Sequence, residues 1–175
     1  EGESLEEILD RREIPAFLSA LAGASEKLTV LHRAGLLHGD VKPANVIVDP
    51  SGRATLVDLG LAAPWREGTR AAGVTPRYAA PELFAGEPLT VRAEVYSLGA
   101  TLNELLTLEP VFAGRDRQEL LRQIAFEEPR PPRKINKAVP VELETIVLKA
   151  LEKDPAERYA SAQALSDDLD RWLKD

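Results

Sequence analysis

A chain of 175 residues, 44% hydrophobic and 29% charged, lies in the ordinary range for one globular domain with one core, which excludes disordered and fibrous classes. A formal charge of −7 and a pI near 5.0 leave no basic face for phosphate contacts, so no nucleic-acid partner is expected, and the absence of Cys excludes disulfide and thiolate chemistry. No apolar run approaches the ~20 residues needed to cross a bilayer and no signal-type segment opens the chain, so a soluble, cytoplasmic domain without a membrane segment is expected.

Ser4, followed three residues later by Glu7 and flanked by Leu5, Ile8 and Leu9, has a capping-box pattern and predicts a short helix over 4–12. From Pro15 a longer helix is predicted, with Phe17, Leu21, Ala24, Leu28 and Leu31 at helical spacing, stopped by Gly35. Residues 46–48 and 54–57 are short β-type runs joined by Asp49, Pro50, Ser51 and Gly52, a turn signature that predicts a hairpin. Residues 62–74 carry Gly, Pro and Arg without a period and read as a loop. A helix is predicted over 94–107 from Val95, Leu98, Leu102, Leu105 and Leu106, and its Gly99 points to close approach by another backbone or else to a tolerated weakness. Further helices are predicted from Asp116 with Glu119, from Pro140 at a first helical position, and from Leu165, Leu169 and Trp172. The proline-rich stretch 127–133 reads as a surface connection. Tyr78, Tyr96 and Trp172 are expected to pack, and Asp167, Asp168 and Asp170 to form a solvated helix face. The expected fold is therefore mainly α with one small β-hairpin.

The stretch HGDVKPANVIVD, residues 38–49, concentrates the chemistry. Phosphoryl transfer asks little covalent work of a protein: an acceptor for the substrate hydroxyl proton, positive charge on phosphate, and oxygen ligands for magnesium. Asp40 would accept the proton, and Lys42 would place a cation near the transferred group. Asn45 and Asp58, an amide and a carboxylate brought together by the hairpin, form a hard-cation site. Taken singly, HGD with a later Asp reads more readily as a turn than as a site.

In combination with motifs further along the chain, the stretch resembles the catalytic loop of protein kinases, H-x-D-x-x-x-x-N. Asp58, Leu59 and Gly60 resemble the magnesium-binding D-F-G with Leu for Phe. Ala80, Pro81 and Glu82 match A-P-E, and GVTPRYAAPE places Thr75 like the family's substrate-facing threonine. AEVYSLGATLNELLT and DPAERYASAQAL resemble the central helix and last conserved stretch of the C-terminal lobe. The resemblance covers the whole chain and is strongest to the bacterial branch of the serine/threonine protein kinases. It implies ATP and Mg2+ as cofactors in a complete kinase, a protein substrate, Lys42 on phosphate, a packing role for His38, and a buried ion pair between Glu82 and Arg158.

Three departures qualify it. Gly39 replaces the Arg of H-R-D, which ordinarily pairs with a phosphorylated activation-loop residue; its absence implies loss of that switch. Glu94 stands where the family has an Asp that braces the catalytic loop, and its extra methylene is expected to displace the loop by about an ångström. The Gly-rich phosphate cover, strand Lys and helix Glu of the N-terminal lobe do not occur in the sequence. With no Met and a start at EGESL that resembles the interlobe hinge, residues 1–175 are expected to be one domain, a kinase C-terminal lobe with the N-terminal lobe absent. Such a lobe would depend on that missing lobe in cis and have little activity alone. Two alternatives stand beside this expectation: a stand-alone lobe or pseudokinase acting as an interaction module, and a small-molecule phosphotransferase of the aminoglycoside-kinase type.

Overall fold

The computed structural model describes residues 3, 4 and 14–174. In chain order these form β1 (Glu3–Ser4), α1 (Ile14–Arg33), β2 (Leu36–Leu37), β3 (Val46–Val48), β4 (Ala54–Leu56), β5 (Ala63–Pro64), α2 (Pro81–Phe84), α3 (Val91–Thr107), α4 (Arg117–Phe126), α5 (Pro132–Ile135), α6 (Val141–Ala150) and α7 (Ala162–Lys174). Short 3-10 turns punctuate the loops, among them Pro43–Asn45, Leu59–Leu61 and Pro76–Tyr78. The architecture is mainly helical. Among the described residues, no helix is long and apolar enough to cross a membrane.

The long helix α1 forms because its apolar positions fall on one stripe: Phe17, Leu21, Ala24 and Leu28 are all buried. Gly35 follows at φ +73, a conformation that a Cβ would disfavour, and the chain turns toward the catalytic stretch. α3 is capped by Thr90, whose side chain accepts from the Ala93 amide, so the helix starts a turn earlier than its apolar period predicts. α3 is buried on nearly every face and forms the axis of the core, with Val95, Leu98 and Leu102 against α1, α6 and α7. Gly99 is the point of closest approach: a Cβ built there would lie 2.6 Å from the Ala150 Cβ and 3.3 Å from its carbonyl carbon. The expected close approach is that of α6.

The hairpin pairs Val46 with Leu56 and Val48 with Ala54. Asp49 closes its turn by accepting from the Ser51 and Arg53 amides, and Gly52 takes φ +81. β1 adds to the outer edge of β3, with Ser4 opposite Ile47. Ser4 is therefore a strand residue and not a helix cap; the rest of the helix expected over 4–12 lies outside the described residues. A second correction concerns the loop over 62–74, which contains β5, paired antiparallel with β2. Two residues, one of them Pro, are too few to show a period. Pro140 stands as the N-cap of α6 instead of its first residue. Trp172 is only half-buried against the core. Asp168, expected to be solvated, accepts from the Tyr159 hydroxyl at 2.7 Å and pairs with Arg171.

Candidate active site

Residues 38–45 cross from β2 to β3 over the start of α3. Lys42 is fully extended, and Pro43 then opens a 3-10 turn that carries Asn45 back beneath Asp40. Asn45 is 6% exposed and donates from Nδ2 to the Asp40 carbonyl at 2.8 Å and to its Oδ2 at 3.3 Å. This leaves the Asn45 Oδ1 as the side-chain oxygen suited to a cation.

Asp40 is held from two further sides. Lys42 Nζ lies 2.7 Å from Oδ2, and the Thr75 hydroxyl donates to Oδ1 at 2.7 Å while accepting from Lys42 Nζ at 3.0 Å. The three side chains close a ring, although Thr75 lies 35 positions from Asp40 in the chain. Burial works to raise the Asp40 pKa, but hydrogen bonds from Lys42, Thr75 and Asn45, with the Lys42 charge, outweigh it and hold the carboxyl below its ordinary value. The group is thus an ionised acceptor over a wide pH range.

The backbone behind Asp40 is fixed by buried side chains. His38, fully buried, sets Nε2 3.0 Å from the Val57 carbonyl and receives the Asp40 amide at Nδ1, 3.3 Å away. The Gly39 amide donates to Glu94 Oε1 at 2.6 Å, and Glu94 Oε2 lies 2.7 Å from His32 Nε2. Glu94 and His32 are both buried, at 2% and 7% exposure, and Glu94 sits in the first turn of α3, where the helix dipole favours a carboxylate. Glu94 thus holds the loop through the Gly39 amide. Sequence reasoning misses His32. Its only signal is its position four residues after Leu28 on the buried stripe, where a lone His more often reads as core.

Asp58 lies two residues beyond the end of β4, not within the strand, and adopts φ 62, ψ 68. The Val57 amide donates to the Asn45 carbonyl at 2.9 Å, so the bases of Asn45 and Asp58 are tied across the hairpin. Asp58 is exposed, as is Leu59 beside it, at 52%.

Glu82 and Arg158 form an anchor apart from this cluster. Arg158 Nη1 and Nη2 meet the two Glu82 oxygens at 2.7 and 2.8 Å, while Nε, Nη1 and Nη2 also donate to the carbonyls of Glu152, Arg92 and Lys153. The guanidinium lies over the buried Tyr96 ring, 5.1 Å from its centre. All five donors are used.

The family model described as "Protein kinase domain" matches residues 3–169. The chain is 36% identical over 182 aligned residues to a probable serine/threonine-protein kinase of Streptomyces coelicolor, covering 99% of this chain and 27% of that protein. It is 36% identical to the serine/threonine-protein kinase PknB of Mycobacterium leprae and 37% identical to that of Mycolicibacterium smegmatis, over 88% of this chain and 26% of each relative. The chain thus spans about a quarter of the length of the curated relatives it matches. The chain belongs to the protein kinase family, in its bacterial serine/threonine branch.

Proposed function

We propose that residues 1–175 are the C-terminal catalytic lobe of a kinase that transfers the ATP γ-phosphate to Ser or Thr of a protein. The observation that carries this reading is the closed ring of Asp40, Lys42 and Thr75, with Asn45 beneath it. A carboxylate kept ionised can accept the substrate hydroxyl proton, and an incoming hydroxyl would take the place that the Thr75 hydroxyl shares on Asp40. Lys42, already turned toward Asp40, neutralises charge on the transferred phosphoryl group.

The donor set fits magnesium. Asn45 Oδ1 and the Asp58 carboxylate are hard oxygen ligands on backbones tied by the Val57–Asn45 hydrogen bond, and Mg2+ characteristically combines one or two such groups with water and substrate phosphates. The bound ion would offset charge on the phosphates, and these two side chains would hold it.

A nucleotide needs more than these groups. The 175 residues contain no G-x-G-x-x-G stretch to cover phosphates, and the exposed Leu59 beside Asp58 offers an apolar seat for a further lobe. The chain acts as half of a two-lobed site, with an N-terminal lobe in cis as its partner, and alone it transfers little phosphate. Loss of Arg at position 39 makes activation independent of a loop phosphate. The small-molecule alternative lacks support from the A-P-E anchor and α3, which are protein-kinase features.

The test is phosphorylation of a mixed Ser/Thr/Tyr peptide library by this chain joined to an ATP-covering lobe from one of the relatives. Transfer to Ser and Thr, abolished by Asp40→Asn, is expected. Transfer to aminoglycosides or choline instead of peptides would overturn the reading.

A further inference from the structure

The two departures at the catalytic loop, Gly39 and Glu94, meet in the structure. Gly39 lies between two fixed surfaces. On one side its amide is held at 2.6 Å by Glu94, whose other oxygen is pinned by His32. On the other side is the start of the activation segment: a Cβ at position 39 would lie 2.4 Å from the Leu61 carbonyl oxygen and 3.0 Å from its carbon. Those are backbone atoms that cannot rotate away. Gly39 also holds φ +86, where a side chain is strained in any case.

We propose that Gly39 and Glu94 form one positioning pair: the longer carboxylate arm sets the catalytic loop against the Leu61 backbone, and only a residue without Cβ fits the gap that remains. Glu94 enters from a rigid, buried helix, so its extra methylene is taken up by the loop and not by α3. The loop then sits at the surface of the activation segment, and the space for a side chain at 39 is lost. His32 belongs to the device because it fixes which way the carboxylate points. Neither Gly39 nor Glu94 touches reacting atoms; both act through the placement of Asp40. The geometric coupling stands on the structure, whereas its effect on turnover rests on the proposed role of Asp40 as proton acceptor.

The prediction is non-additivity governed by arm length. In the lobe-completed kinase, Gly39→Ala lowers kcat by about 100-fold when position 94 is Glu, the scale of an ångström misplacement. In the Glu94→Asp background, where the shorter arm draws the loop back and only the positive-φ strain remains, the same change costs about 10-fold, a coupling beyond that of independent sites. Glu94→Gln, which keeps the length and removes the charge, leaves the cost of Gly39→Ala near 100-fold. If Gly39→Ala fails to fold, thermal melting gives the same answer: adding Glu94→Asp restores folding.

An arm free of catalysis uses the chain itself. By NMR the residue-39 amide proton should be shifted downfield and protected from exchange, Glu94→Asp should keep both features, and Glu94→Ala, which removes the arm, should abolish them. Equal costs of Gly39→Ala in the Glu and Asp backgrounds, failure of the double variant to refold, or an amide indifferent to Glu94→Ala would each overturn the pair. A coupled amide in a completed kinase that transfers no phosphate would instead overturn the functional reading and leave the pair standing.

Discussion

Two ion pairs of equal length serve opposite ends in this molecule. Arg158 meets Glu82 at 2.7 Å and Lys42 meets Asp40 at 2.7 Å. The Arg158 side chain is wholly buried, and its five donors are spent on one carboxylate and three carbonyls, a set that no ligand could share. The Lys42 side chain is 23% exposed, holds Asp40 through one contact and Thr75 through another, and on the proposed function leaves them for phosphate. Distance alone does not separate a structural pair from a working one; the number of remaining partners does. Saturation fixes Arg158, and incompleteness frees Lys42.

This contrast can be broken from either side. The largest effect is expected at Asp40: Asp40→Asn in the lobe-completed kinase should lower kcat by about 100- to 10,000-fold. The same change should alter the unfolding free energy of the chain by no more than about 1.5 kcal/mol in urea titrations, because the ring it leaves remains partly solvated. Arg158→Met should do the reverse, costing about 3 to 5 kcal/mol of stability by leaving the Glu82 carboxylate unpaired and removing the buried hydrogen bonds to three carbonyls. A stable Arg158→Met chain would show that saturation is not what anchors the activation segment.

Lys42→Met sharpens the comparison through pH. The Asp40 pKa is held below its ordinary 3.8, so the stability it adds is present above that value and lost as pH falls through the lower folded one. Removing Lys42 takes away a hydrogen bond and a charge that lower this pKa, so the acid limb of the kcat profile should move to higher pH. A shift the other way would mean that Lys42 does not face Asp40 in the working enzyme. The smallest effect is expected at Thr69. Its hydroxyl donates to the Pro64 carbonyl at 2.7 Å and accepts from the Arg66 amide, purely local contacts, and no Arg stands at 39 to read a phosphate. Thr69→Ala should leave initial rates of peptide phosphorylation in that kinase nearly unchanged; a large drop would restore the phosphate switch.

How much of the molecule is legible in the chain depends on the range of the interactions. The apolar stripe of α1, the caps Asp116 and Thr90, and the turn at Gly52 are local, and all but the Thr90 cap are legible from spacing and residue type. Asp40, Lys42 and Asn45 lie within six positions and are legible as a motif. Glu82 with Arg158 is legible only through resemblance, since 76 positions separate them. Other features leave no trace: β5 is too short for a period, Asp168 looks like any acid on a helix face until Tyr159 folds over it, and His32 resembles a core residue until Glu94 arrives from another helix. Gly39 is the instructive case. Along the sequence it is a missing Arg, whereas in three dimensions it is also the gap between Glu94 and Leu61.

The central claim, that this chain supplies the acceptor and magnesium half of a kinase site, is tested most directly by calorimetric titration of ATP–Mg2+ into the chain alone and joined to an ATP-covering lobe, each with and without Asp58→Ala. Weak binding alone and tight, Asp58-dependent binding when joined are expected. Tight Asp58-dependent binding by the chain alone, or binding by the joined protein that ignores Asp58→Ala, would contradict the account.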